Sequence, residues 1–178
     1  VVVLKDVRPE DTAGDERYTL RIRDLTTGGA SIFNPPADIT NGSQLAGSAR
    51  FSPDGTKLAY AIGKSSQDAE QGWVVVSDTA FDNSKVILTS PTGSYYTIAG
   101  WLDDQTLLVQ STNPLDCSPF CKSELWTVKA DGTDAQKAAD GSFLAAVPND
   151  AFIQLPYDPP ATPDATGKVT DASIDIEL

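Results

Sequence analysis

The sequence predicts an all-β protein assembled from repeated four-stranded antiparallel units. Three observations carry that reading. Short apolar or alternating runs are separated throughout by clusters of Gly, Pro, Asn and Asp. No window holds an apolar period of 3.6 over the ~10–12 residues that a helix needs. A strand–turn–strand motif recurs along the chain at a period of about 46–50 residues.

The elements follow in order. Strands are expected near Val1–Val7, Tyr18–Leu25 and Ala30–Phe33, the last two joined through Thr26-Thr27-Gly28-Gly29. Four more fall near Ala46–Phe51, Lys57–Ile62, Trp73–Asp78 and Lys85–Thr89, and another four near Tyr96–Trp101, Thr106–Gln110, Glu124–Lys129 and Ala135–Ala138. Phe143–Val147 and Ala151–Leu155 complete the set. Gln67–Gln71, in a polar stretch, is the one place where a single helical turn is expected.

The repeat is read by laying Ala49–Tyr60 on Ala99–Val109 with one residue deleted, which matches Phe51 with Trp101, Asp54 with Asp104 and Leu58 with Leu107. A weaker copy spans Ala145–Ile153, with Val147, Asp150 and Phe152 in the corresponding places. Between these copies, Tyr18–Gly29 resembles Leu125–Asp134, each a strand running into a Gly-containing turn. A four-stranded unit of about 40–50 residues is the size of a β-propeller blade. One such sheet buries little alone, so blades stack face to face and share a core. The units are placed at about 1–43, 44–94, 95–142 and 143–155 onward, roughly three to four blades and hence an incomplete ring. Residues 156–178 are read as a Pro-rich segment followed by a strand at Val169–Ile176 that completes the last blade.

Phe51-Ser-Pro-Asp-Gly-Thr-Lys-Leu-Ala-Tyr60 resembles the core of the TolB-like, WD40-like (PD40) propeller repeat. Leu125-Trp-Thr-Val-Lys-Ala-Asp-Gly-Thr-Asp134, followed by Asp140-Gly141, is similar to the later half of that repeat. The resemblance covers roughly Tyr18–Leu155 and implies propeller blades. Repeats of this kind occur in periplasmic scaffold proteins and in the propeller domains of prolyl-oligopeptidase-type peptidases, so the resemblance bears on fold more than on function.

Composition excludes several functions. The 178 residues hold 13 Lys and Arg against 25 Asp and Glu, a net charge of −12, and no His. Without His the chain has neither a Ser-His-Asp triad nor an imidazole metal ligand of its own. Phosphate neutralisation needs clustered Lys and Arg, so no nucleic-acid partner is expected. No apolar run approaches the ~18 residues of a membrane span. The absence of Met and the start at Val1 are read as a processed chain or a piece of a longer one.

The chemistry-bearing candidates are few. Cys117-Ser-Pro-Phe-Cys121 has one residue too many for a Cys-x-x-Cys redox pair and too few soft ligands for zinc. A local disulfide stapling a hairpin loop is the economical reading, with two free buried thiols as the alternative. Ser52-Pro53-Asp54-Gly55 is read as a type I turn with Pro at its second position. Asp103-Asp104 and Asp131-Gly-Thr-Asp134 are weak calcium candidates that lack the spacing of an EF-hand loop; each sits at a strand end, where turn hydrogen bonding is the preferred reading. Otherwise neither catalytic residues nor a cofactor are expected. Trp73, Trp101, Trp126, Phe51 and Tyr60 are assigned to the core. Arg21 and Arg23 are read as part of a surface ion-pair network with Glu16 and Asp24.

The expected function is therefore a non-enzymatic binding or scaffold module outside the cytoplasm, in the periplasm, at the cell surface or secreted. It would engage a protein partner, and a second chain or second copy would complete the ring. The alternative is the propeller segment of a prolyl-oligopeptidase-like hydrolase or of a carbohydrate-active enzyme. In that case the catalytic residues would lie largely outside this chain, where a Gly-x-Ser-x-Gly elbow would mark the hydrolase.

Overall fold

Backbone hydrogen bonding in a computed structural model of the chain, which describes residues 2–7, 18–33, 43–66, 69–79, 83–117, 121–147 and 151–155, forms four antiparallel sheets and, among these residues, no helix. Strands β1 (Val2–Val7), β2 (Tyr18–Arg23) and β3 (Ala30–Phe33) make the first sheet. Strands β4 (Ser43–Phe51), β5 (Lys57–Ser66), β6 (Ala69–Asp78) and β7 (Lys85–Thr89) make the second. Strands β8 (Tyr95–Trp101), β9 (Thr106–Cys117), β10 (Cys121–Lys129) and β11 (Gln136–Asp140) make the third. Strands β12 (Ser142–Val147) and β13 (Ala151–Leu155) pair as the fourth. Each strand pairs with its neighbours in sequence, so every sheet is a meander.

Two apolar layers hold the described part together. Side chains alternate across a strand, so β5 sends Leu58, Tyr60 and Ile62 to one face and Ala59 and Ala61 to the other, all of them buried. The first three join Val75, with Phe51, Trp73 and Val86 packed around them. The two alanines join Val74, Val76 and Ile87 against Tyr96, Ile98, Leu107, Val109 and Val128 of the third sheet. Small residues on the seam face let the sheets approach, and full burial of a side chain such as Leu107 contributes about 2 kcal/mol.

Polar contacts fix the stacking register. The Ile98 N–H donates to Ser48 Oγ at 2.7 Å, Trp101 Nε1–H to the Arg50 carbonyl at 3.0 Å and the Asp54 N–H to Asp104 Oδ1 at 2.8 Å. Each of these bonds links residues one repeat apart. At the other end, Gly72 presses against the next sheet, where a Cβ would stand 2.9 Å from the Tyr95 Cα and from the Tyr96 backbone nitrogen.

Some expectations need correction. Residues 69–71 lie in β6 rather than in a helical turn, because their backbone pairs with Lys64–Ser66 of β5; residues 67–68 lie outside the described set. Trp126 belongs to neither apolar layer; it is half-buried, and its indole N–H reaches Glu124 Oε2 at 3.1 Å. Cys117 and Cys121 are strand residues, since β9 runs up to the first and β10 starts at the second. The Arg21 side chain and residues 156–178 lie outside what is described.

Candidate functional site

The meander gives each sheet two unlike ends. The β4–β5 and β8–β9 turns meet at one end, where the Asp54–Asp104 hydrogen bond joins them. Strands β5 and β9 leave those turns in the same direction, so the β5–β6 and β9–β10 hairpins project together from the opposite end.

The turn end is built for rigidity. Ser52, Pro53, Asp54 and Gly55 form a turn closed by the Gly55 N–H on the Ser52 carbonyl at 2.8 Å, with Gly55 at φ 71° in the left-handed region. Asp54 Oδ1 accepts from Ser52 Oγ at 2.6 Å and from the Thr56 N–H at 3.0 Å, and these donors hold its carboxyl down at about 2. Asp103 accepts the Gln105 and Thr106 N–H groups, both at 2.6 Å, which lowers its pKa too. Asp131 is lowered by the Thr133 hydroxyl and N–H at 2.7 and 2.9 Å. Lys57 Nζ caps the Asp104 carbonyl at 3.1 Å and Lys85 Nζ the Asp131 carbonyl at 2.6 Å.

The four calcium candidates thus divide between two turns, Asp103 and Asp104 in one and Asp131 and Asp134 in the other. Asp103, Asp104 and Asp131 accept hydrogen bonds from the protein through their carboxylates, while Asp134 takes the left-handed conformation at φ 53°. Among the described residues no group of three or more His, Cys, Asp or Glu is arranged to hold a metal ion.

The hairpin end is where the structure protrudes. β9 is 12 residues long, about 40 Å at ~3.3 Å per residue. Cys117 and Cys121 face each other in the ladder and are joined by a disulfide across the exposed tip. A Lys122–Asp116 ion pair at 3.0 Å flanks it. Leu115, on the same arm, is 84 % exposed, and its Cδ1 would lie 4.0 Å from a Cβ at Gly93. Gly93 belongs to the β7–β8 connection, which is clamped to β6. There the Gly72 N–H donates to Ser90 Oγ at 2.7 Å, Ser90 Oγ–H to the Ser94 carbonyl at 2.6 Å, and the Ser90 N–H to the Gly72 carbonyl at 2.8 Å. Pro91 and Thr92 of the same connection are exposed. This end therefore presents an exposed leucine between a clamped loop and a cross-linked hairpin. Sequence reasoning found the cysteines but missed Leu115 and the clamp, because the approach of the loop to the hairpin is tertiary.

Between the two ends, burial and the nearby Glu124 carboxylate push Tyr96 up to about 12, and burial raises Tyr60 further. Both remain neutral phenols. No helix among the described residues is long and apolar enough to cross a membrane.

No family model and no curated protein matches the sequence. Several solved structures resemble it, among them two enzymes. One is an oligogalacturonate lyase in complex with manganese, similar over 78 % of this chain and 40 % of that one, with 18 % identity and a TM-score of 0.51. The other is the Pyrococcus horikoshii acylaminoacyl peptidase, similar over 76 % of this chain and 22 % of that one, with 17 % identity and a TM-score of 0.50. This chain thus spans well under two thirds of either structure. Both contain propellers, and at such identities the likeness speaks for fold alone. Taken with the stacked meanders and the seam contacts one repeat apart, it identifies the chain as all-β, with two complete four-stranded β-propeller blades among its described residues.

Proposed function

We propose that the chain is a TolB-like propeller module that binds a protein partner outside the cytoplasm through its hairpin end. The observation that carries this reading is the pair of adjacent hairpins, one bridged at its tip, that project beside the exposed Leu115. A disulfide persists in oxidising compartments, which supports an extracytoplasmic location. The net charge of −12 favours a basic or neutral partner, with encounter rates that fall as salt rises.

A photo-crosslinking amino acid placed at Leu115, and separately at the exposed Thr56 of the turn end, tests this in the producing cells. The binding reading requires one discrete protein adduct from position 115 and none of the same mass from position 56. Matching adduct patterns at both positions, or none at 115, would remove it.

A second reading rests on the two similar structures: the chain is the propeller segment of a hydrolase or carbohydrate-active enzyme whose catalytic residues lie largely elsewhere. Sustained turnover of an acyl-peptide or of an oligogalacturonate by the full gene product would favour it over the binding module.

A further inference from the structure

The two projecting hairpins are built differently. The β5–β6 ladder runs in unbroken register from the Lys57–Asp78 pair out to Ser66–Ala69. The β9–β10 ladder breaks after the Ser123–Thr112 pair and resumes at one last pair, Cys121–Cys117. Asn113, Pro114, Leu115 and Asp116 therefore stand against Lys122 alone, as a bulge on the β9 side. Pro114 has no N–H to give to a ladder, and the Leu115 N–H donates to Asn113 Oδ1 at 2.9 Å instead.

The inner end of this bulge is fixed, because Thr112 and Ser123 are buried with their hydroxyl oxygens 3.1 Å apart. The outer end is held by the disulfide and by the Lys122–Asp116 ion pair. Both side chains of that pair are about half exposed, and such pairs contribute little. The covalent bond is thus the main constraint on the bulge that carries Leu115, and it sits where the regular ladder fails. Both cysteines are exposed, so an attacking thiolate can reach either sulfur. Exposed bridges are the ones that exchange with thiols, whereas buried ones resist.

We propose that the Cys117–Cys121 bridge is a reversible redox site, opened by a dithiol reductant, and that its opening withdraws Leu115 from binding. The proposal rests on the reading of the hairpin end as a docking surface. One thiolate of the dithiol attacks a bridge sulfur, the S–S bond breaks, and the other cysteine leaves as a thiolate. The second thiol of the reductant then attacks the mixed disulfide, closes its own disulfide and expels the remaining cysteine. Two electrons and two protons pass to the chain, which ends with two thiols, while the dithiol ends as a disulfide. With the bridge open, residues 113–117 lose their outer anchor and Leu115 is no longer pre-organised for a partner. The buried base at Thr112 and Ser123 confines the change to the tip.

The test needs two readouts on the full chain, one without a partner and one with. Dithiothreitol is the reductant, and the Cys117→Ser, Cys121→Ser double variant is the permanently open form. The folded protein should be reduced at a rate proportional to dithiothreitol. The backbone order parameter at Leu115 should then fall from about 0.85 to below about 0.6, while those of β5 and β6 hold. The adduct from a photo-crosslinker at position 115 should fall at least ~10-fold in the open form. Reduction only at the rate of global unfolding, or an order parameter at Leu115 that does not change, would overturn the switch. An adduct of equal yield from both forms would overturn it too, with the docking surface left standing. No adduct even from the bridged chain would remove the docking surface and the switch together. If the double variant fails to fold, the reduced native chain decides.

Discussion

The second and third sheets share a strand plan but differ in what lies on their faces. In the second, Ala61 and Val76 line the face toward the next sheet, and both are buried in an apolar layer. In the third, the equivalent positions hold Gln110 and Thr127, and Lys129 stands in the place of Asp78. Gln110 Oε1 accepts the Phe143 N–H at 2.8 Å, so a polar bond crosses this seam, while its amide reaches Thr112 Oγ1 of its own strand at 3.2 Å. The antiparallel strand order is the same in the two sheets. What a strand face carries is therefore set by what stacks on it, and strand propensity follows from that packing.

Four measurements would break or sharpen the comparison. The largest effect is expected where two sheets touch through a glycine. Gly72→Val drives a side chain into the backbone of Tyr95 and should cost about 3 kcal/mol in denaturant unfolding. Gly100→Ala in the third sheet has nothing within 4 Å of its new Cβ and should stay within about 0.5 kcal/mol.

Next comes the bridge that only the third sheet has. Replacing both Cys117 and Cys121 by Ser removes a short loop closure and should lower stability by about 2 kcal/mol. Hydrogen exchange should quicken at the ends of β9 and β10 and remain unchanged in β5 and β6. Uniform quickening would show that the bridge acts on the whole fold.

Exchanging the equivalent residues addresses the seam faces directly. Val76→Thr buries an unpartnered hydroxyl in an apolar layer and should cost about 1–2 kcal/mol. Thr127→Val, on the open face, should change stability by less than about 0.5 kcal/mol. Equal costs would mean that both faces are equally covered.

The smallest effect concerns acid. The Asp54 carboxyl sits at about 2 in the folded chain, below its ordinary 3.8. Its stabilisation is therefore complete above pH ~4 and disappears as pH falls through 2. The Asp54→Asn variant should show a flatter loss of stability between pH 4 and 2, read by thermal melts across that range. An unchanged slope would place the acid sensitivity on other carboxyls.

The features legible in the sequence were those written in local chemistry. Pro53, Asp54 and Gly55 mark a turn because each suits one turn position, and Leu58–Ile62 announces a strand buried on both faces. The strand extensions were hidden: β5 continues through Gly63-Lys-Ser-Ser66 and β9 through Ser111–Cys117, polar stretches that read as loops. A ladder needs backbone partners rather than apolar side chains, so once a hairpin has a register it can run on through such residues. Trp126 misled because aromatic character suggests burial, whereas its position leaves it at a seam margin beside Glu124. For the candidate site, the cysteine spacing pointed to the bridge. Gly72, Ser90 and Leu115 gave no signal, since a close approach between sheets leaves no trace in a strand of ordinary composition.

The seam bonds from Ser48 to Ile98 and from Asp54 to Asp104 join a position to its own counterpart in the next sheet. Such a contact is head-to-tail: one face of a unit meets the opposite face of the following one, and the two faces differ. A gene duplication that inserts one whole unit would thus create a correct junction at both of its borders without any new complementary surface having to arise. The same property makes a half-unit insertion disruptive, because it sets two like sides against each other. Copy number in such a chain can change in whole steps, and the hydrogen bonds that hold two neighbours in register are also what makes those steps heritable.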